Sequence, residues 1–334
     1  MFKIFESDFV NNHLIVKVLG IKMSFKIKAL ENIEKRNKKA YEEIMKALNN
    51  LNYEKQKFYK TNKHIEILKR ITPSPQLQFS VDIVDHCNLN CKGCDHFCPI
   101  SDEKFLSLEE YEKDLKQLSK LCANGELIKL VCLEGGEPLL HPKITKFMEI
   151  TRKYCPKAKI DLMTNAILLP KMDENFYSAC NKYNITITIT KYPLKIDFET
   201  IHKLADKNGV ELCYFNEFDK RDKTSWKIPF DLDGKQDAIT NFLGCYMANN
   251  CITLRHGKLY TCSSRAYADK FNKYFNQNLS LSKFDGISIY HAVSYNELSD
   301  FLSKPIAFCK YCDVKNRKDL GRFEISKKDL TEWV

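Results

Sequence analysis

The sequence predicts an α/β fold: a partial (β/α)6 barrel, with a hairpin-helix extension before it and a small cysteine-rich cap after it. Three observations predict it. From residue 77 on, apolar runs of strand length alternate with amphipathic stretches of helix length, the pattern of parallel strands joined by right-handed crossovers. The conspicuous polar and cysteine motifs fall just after strands, where parallel barrels gather their chemistry. Five repeats are clear and a sixth is expected near 225–245, short of a closed eightfold barrel.

Taken in order, residues 1–28 read as short strands, with His13–Leu19 and Lys22–Ile27 flanking Gly20 as a hairpin. Residues 29–70 read as helical, with Leu30, Ile33, Tyr41, Ile44, Leu48 and Leu51 near helical spacing. Pro73 and Pro75 cannot continue a helix, so a boundary is placed there. This gives three parts: an extension over 1–75, the barrel over 76–244 and the cap over 245–334. Barrel strands are expected near 77–84, 127–133, 159–163, 185–190 and 210–215. Helices are expected near 107–122, 142–154, 173–183 and 197–208. In the cap, Cys251–Arg255 and Lys258–Cys262 flank His256-Gly257 as a hairpin, and Tyr295–Lys304 reads as a helix stopped by Pro305.

Bulk properties narrow the class. With 334 residues, 44% hydrophobic and 29% charged, the composition is that of a soluble globular chain. No apolar run of about 18 residues suggests a membrane span, and no secretory leader is apparent, so a cytoplasmic location is expected. Fourteen cysteines are many for such a chain, and in a reducing compartment they point to metal or cluster binding rather than disulfides. Cys122, Cys132, Cys155, Cys180 and Cys213 read as core residues. Of the net charge of +10, residues 1–75 hold a surplus of +8. That basic segment suits a solvated face, or a peripheral contact with an anionic membrane or an acidic protein. No nucleic-acid partner is expected, because no aromatic or glycine pattern accompanies the charge.

The chemistry concentrates in Cys87-x3-Cys91-x2-Cys94, directly after the first strand. Three thiolates hold three irons of a cubane and leave the fourth iron open, whereas a closed electron-transfer cluster takes four cysteines. A zinc site would need a fourth ligand, for which Cys98, His86 and His96 are at hand. Gly135-Gly136-Glu137-Pro138 follows the second strand, and Thr164-Asn165 ends the third.

These three motifs, in this order, resemble the radical S-adenosylmethionine (SAM) superfamily. The resemblance covers roughly residues 77–315 and implies a TIM-like partial barrel, a [4Fe-4S] cluster on Cys87, Cys91 and Cys94, and SAM on the open iron. It implies that Gly135, Gly136, Glu137 and Pro138 hold the SAM amino group, with unhindered glycine backbone close to the ligand. Asn165, Thr188, Thr190 and Lys191 become candidates for the ribose or carboxylate, and Lys191 or Tyr192 for the substrate. Family members carry an aromatic residue before the third cysteine, beside the adenine. Here that residue is Gly93, and His96 or Phe97 is the candidate replacement.

Cys245, Cys262, Cys309 and Cys312 are similar to the reduced, or twitch, form of the family's SPASM auxiliary domain, which implies a second [4Fe-4S] cluster. Cys251 competes with Cys245 as first ligand, and a structural zinc is the alternative occupant. The resemblance further implies an electron donor such as flavodoxin or ferredoxin. The leading substrate expectation is a small sugar or nucleotide-linked sugar of surface-polysaccharide biosynthesis. A peptide or protein substrate is the alternative, and a non-catalytic iron–sulfur partner is the third reading.

Overall fold

The computed structural model describes residues 5–10, 13–18, 21–26, 39, 42–43, 46, 64–215 and 224–334. The chain divides into two compact units, 1–66 and 67–334. In the first, β1 (Phe5–Val10), β2 (His13–Val18) and β3 (Ile21–Lys26) form an antiparallel sheet in that order. The expected hairpin pairs Leu14 with Phe25 and Val18 with Ile21. Most of the helical stretch expected over 29–70 lies outside the described residues.

The second unit is built on parallel strands. These are β4 (Leu77–Val84), β5 (Ile128–Gly135), β6 (Lys159–Thr164), β7 (Ile185–Ile189) and β8 (Leu212–Tyr214), each paired with the next. Between them run α1 (Leu108–Leu121), α2 (Ile144–Tyr154), α3 (Glu174–Lys182) and α4 (Phe198–Asn208). Ser107, Asp173 and Asp197 start α1, α3 and α4 by accepting a backbone N–H of the first turn. Phe79, Val81 and Ile83 of β4, Val131 and Leu133 of β5, and Ile160 and Leu162 of β6 share one core with the buried faces of these helices.

The sixth parallel strand is not at 225–245. That stretch holds β9 (Thr224–Lys227), outside the main sheet, and the short α5 (Ala238–Gly244). Instead, β10 (Thr253–Arg255) joins the opposite edge, parallel to β4 through Thr253 and Ser80. It turns back into β11 (Lys258–Tyr260), which pairs with β12 (Gly286–Ser288). The result is one open eight-stranded sheet in the order β12-β11-β10-β4-β5-β6-β7-β8. The first barrel strand is therefore internal rather than an edge. Partnership between strands so distant in sequence leaves no local signal.

A second core lies under α6 (Ser263–Phe275), a helix absent from the sequence reading. It gathers Phe97, Phe230, Phe271, Phe308, Tyr311 and Trp333. The chain continues through α7 (Tyr295–Leu302) to β13 (Lys318–Arg322), which pairs antiparallel with β9. No helix among the described residues is long and apolar enough to cross a membrane.

Candidate active site

The cysteine loop leaves the end of β4 in a tight curl, with Asn90, Gly93 and Phe97 in left-handed conformations. Its three thiols are half-buried. The Cys87 thiol is pushed up to about 12 by burial, and further by the charges of Glu137, Cys94 and Cys91. Cys94 is lowered to about 6, chiefly by a hydrogen bond from Cys98. Tyr192 Oη lies 3.4 Å from Cys91 Sγ. Three mutually repelling thiols on one curl suit a cationic iron centre, which would reverse the burial penalty. Cys98, the candidate fourth zinc ligand, is instead buried and hydrogen-bonded to Cys94.

The glycines of the second motif act on this loop. Gly136 N–H donates to Val84 O at 2.7 Å and Glu137 N–H to His86 O at 3.1 Å. A Cβ on Gly136 would stand 1.8 Å from His86 O, and one on Gly135, at φ 147°, 2.4 Å from Val84 O. The close approach these glycines permit is thus to the cysteine loop. The amides of Gly136 and Glu137 are both engaged by it.

Glu137 is fully buried. Its carboxylate accepts from Leu139 N–H (3.1 Å), Thr164 Oγ1 (2.7 Å) and Asn165 N–H (3.0 Å). Burial outweighs these bonds and raises its pKa to about 7. It joins the ends of β5 and β6. Pro138 opens the short 3-10 turn that follows. Asn165 Nδ2 donates to Asn88 Oδ1 at 2.8 Å and lies 3.8 Å from Cys87 Sγ. Thr190, half-buried past the end of β7, donates its N–H to Thr164 O. These motifs therefore meet along one rim of the sheet.

Neither replacement for the missing aromatic is free to act as one. Phe97 is packed in the second core against Phe230, Phe271 and Trp333. His96 points back along β4, with Nδ1 within 3.0 Å of both Asp82 oxygens and its ring stacked on Tyr267. Asp82 and the burial-raised Glu134, at about 7, are register neighbours on β4 and β5. Glu134 is therefore held in the sheet rather than solvated. Among the described residues, Asp82, His96 and Glu134 are the trio whose ligand atoms lie within 4.8 Å of one another.

The sequence reading missed this polar floor. Ser80, Cys132, Asp161 and Thr186 are register partners in one row, on the face turned away from the helices. Thr188 Oγ1 (8% exposed) is buried with no hydrogen-bond partner among the described residues. Tyr267 Oη (1% exposed) faces Asp82 without hydrogen-bond geometry. The available signal was the period-2 placement of Ser80 and Asp82 inside an otherwise apolar strand.

The late cysteines also come together. α5 ends at Cys245, Cys262 caps α6, and Asn241 Nδ2 donates to the carbonyls of Cys309 and Cys312. Burial raises all four thiols, and their charges add to this. Cys312 feels Cys262, Cys245 and Cys309. Cys251, pushed up to about 12 by burial, faces Asp95, Glu134 and Cys245 instead.

Comparison with known proteins fits this geometry. The sequence model of the radical SAM superfamily matches residues 81–207. The GTP 3′,8-cyclase of Aliarcobacter butzleri (strain RM4018) is 32% identical over 268 residues, covering 75% of this chain and 73% of its own. The chain belongs to the radical SAM superfamily. It is a radical SAM enzyme, with a [4Fe-4S] cluster and SAM as cofactors. The GTP 3′,8-cyclase of Clostridium perfringens (strain 13 / Type A) is 31% identical, covering 52% of this chain and 53% of its own. Among solved structures, BtrN in complex with AdoMet and 2-DOIA covers 72% of this chain and 94% of its own, at 18% identity and TM-score 0.47. Streptococcus suis SuiB bound to precursor peptide SuiA covers 77% and 74%, at 14% identity and TM-score 0.35.

Proposed function

We propose that this radical SAM enzyme acts on a small polyhydroxylated substrate, a sugar or nucleotide-linked sugar, held on the polar floor of the open barrel. The observation that carries the reading is a run of buried polar groups on one face of the sheet, from Tyr267 Oη facing Asp82 and Glu134 to Thr188 Oγ1 on β7, two strands beyond Glu134. A buried polar group without a partner costs about 1–3 kcal/mol, so a ligand that satisfies it is favoured. An apolar ligand would leave these groups unpaired. The similarity to GTP 3′,8-cyclases, named for a ribose-bearing small molecule, agrees with this class.

Cys87, Cys91 and Cys94 would hold the cluster, with SAM on its open iron. So loaded, the site supplies a 5′-deoxyadenosyl radical that removes a hydrogen atom from a substrate carbon. The chain's own residues position and shield. Glu137 fixes the rim that carries Asn165, and Asn165 braces the loop at Asn88. Gly135–Pro138 and Thr190 line that rim beside SAM. Glu134, near half-protonated at neutral pH, both donates to and accepts from a substrate hydroxyl. Residues 245–334 would carry a second [4Fe-4S] cluster on Cys245, Cys262, Cys309 and Cys312, serving as a one-electron acceptor. A structural zinc on the same four thiolates is the alternative occupant. A flavodoxin or ferredoxin would supply electrons, and basic residues 1–75 would make a peripheral membrane or protein contact.

The test is anaerobic incubation with SAM, dithionite and a panel of nucleotide-linked sugars, scoring 5′-deoxyadenosine. The reading expects one member to raise it above the no-substrate level, and its carbon-deuterated form to place deuterium in the product. Background cleavage unchanged by every sugar, but raised by a peptide, would remove the sugar reading and leave the enzyme class intact.

A further inference from the structure

Gly135–Glu137 are not alone in holding the cysteine loop; residues 318–334 hold it as well. Lys92 N–H donates to Glu324 O at 2.9 Å and Ser326 N–H to Asn90 O at 2.8 Å, so Cys91 pairs with Ile325 in an antiparallel bridge. Lys92 Nζ also meets Glu324 Oε2 at 2.6 Å. Trp333, 4% exposed, donates from Nε1 to Cys94 O at 2.9 Å. Its indole packs between Phe97 and Phe275. Gly93 sits at φ +64°, where a Cβ would come 2.7 Å from Leu320 Cδ1 and 3.2 Å from Glu332 O. Glycine stands there because this segment fills the space a side chain would need.

The same segment reaches the late cysteines. Phe230 N–H donates to Trp333 O at 2.7 Å, and Phe230 forms a β-bridge with Cys312. Bonds thus run from Cys94 through Trp333 and Phe230 to Cys312. We propose that residues 318–334 are a positioning element of the cluster site: they set the geometry of Cys91 and Cys94, and Trp333 ties that loop to the Cys312 arm. The proposal rests on the reading of Cys87, Cys91 and Cys94 as ligands. Partners that orient metal ligands from behind typically change metal affinity 10–100-fold when lost.

The experiment compares five anaerobically reconstituted full-length proteins: wild type, Trp333→Phe, Gly93→Ala, Gly93→Ala with Leu320→Ala, and Cys87/Cys91/Cys94→Ala. It reads iron and sulfide per chain, the rate of iron loss to a chelator, the electron paramagnetic resonance of the reduced protein, and the melting temperature. The signal absent from the cysteine variant defines the first cluster. Trp333→Phe keeps a packed ring but loses the N–H. It is expected to release iron from that cluster about tenfold faster and to shift its g-values while still melting cooperatively. Gly93→Ala is expected to do the same, and Leu320→Ala to restore part of the loss by clearing the clash. Wild-type release and spectrum in Trp333→Phe, or no rescue by Leu320→Ala, overturns the proposal. If Trp333→Phe does not fold, the Gly93 and Leu320 pair decides by the same reading. A cysteine variant that keeps the full wild-type signal overturns the ligand reading itself, whereas loss there with a wild-type Trp333→Phe overturns the positioning role alone.

Discussion

Glu137→Gln isolates what a buried carboxylate costs and contributes at this rim. The side chain keeps its volume. Its amide oxygen can still accept from Leu139 N–H and Thr164 Oγ1, but its NH2 then faces Asn165 N–H, donor against donor. One lost acceptor at a buried N–H costs about 1–3 kcal/mol. Against this stands the titration. The folded pKa is raised by burial from 4.5 to about 7. Below pH 4.5 both folded and unfolded chains are protonated and the wild type keeps its full stability. Between pH 4.5 and 7 the unfolded chain ionises first, so stability falls by about 1.4 kcal/mol per pH unit, roughly 3 kcal/mol in all, and stays lost above pH 7. Glutamine does not titrate. At pH 5 the variant should therefore be less stable than wild type by about 1–3 kcal/mol, and at pH 8 equal to it or slightly more stable. Urea denaturation of both proteins at the two pH values measures the difference, in which titrations shared by both cancel. Parallel pH dependence in the two proteins would refute the claim that burial raises the Glu137 carboxyl to about 7.

Gly136→Ala places a Cβ 1.8 Å from His86 O, so the loop must move; iron per chain after reconstitution should fall to a small fraction of wild type. Arg152 donates to the carbonyls of Tyr183, Asn184, Cys155, Pro156 and Ala158, so Arg152→Ala should lower unfolding free energy by about 3–5 kcal/mol in denaturant titration. Asp285→Ala strands the buried Arg265 guanidinium, 2.8 Å from the carboxylate, and should cost a similar 3–5 kcal/mol by the same measurement. Cys245→Ser should remove about four irons per chain and Cys251→Ser none, because Cys309 and Cys312 both feel the charge of Cys245 and neither feels Cys251, although Cys262 feels both; the reverse result would exchange their roles.

Much of the barrel was legible because its signals are local. Alternating apolar runs and amphipathic stretches, with motifs placed after strands, located β4 to β8 and α1 to α4 within a few residues. The sixth strand was misplaced because β10 is three residues long and its partner, β4, lies more than 170 positions away. Helix α6 was missed because Cys262 starts it without a side-chain hydrogen bond, so no capping pattern marks it. The three motif clusters were readable as chemistry, but their division of labour was not. That Glu137 and Asn165 brace the loop depends on hydrogen bonds between strand ends, which spacing along the chain does not encode. Gly93 stood out as a departure; its left-handed φ of +64° and the Leu320 and Glu332 atoms packed against it, more than 220 residues away, are not written in the local sequence.

The placement of β10 beside β4 also bears on the order of events during synthesis. The strand that delivers Cys87, Cys91 and Cys94 obtains one neighbour only when β5 emerges and the other only when residue 253 has left the ribosome. Until then its hydrogen-bonding edge is open, and an unpaired edge invites association with other chains. Each nascent copy therefore carries an unfinished sheet beside its three loop cysteines until residue 253 has emerged. Metal delivery before that point would meet a loop whose supporting strand is incomplete.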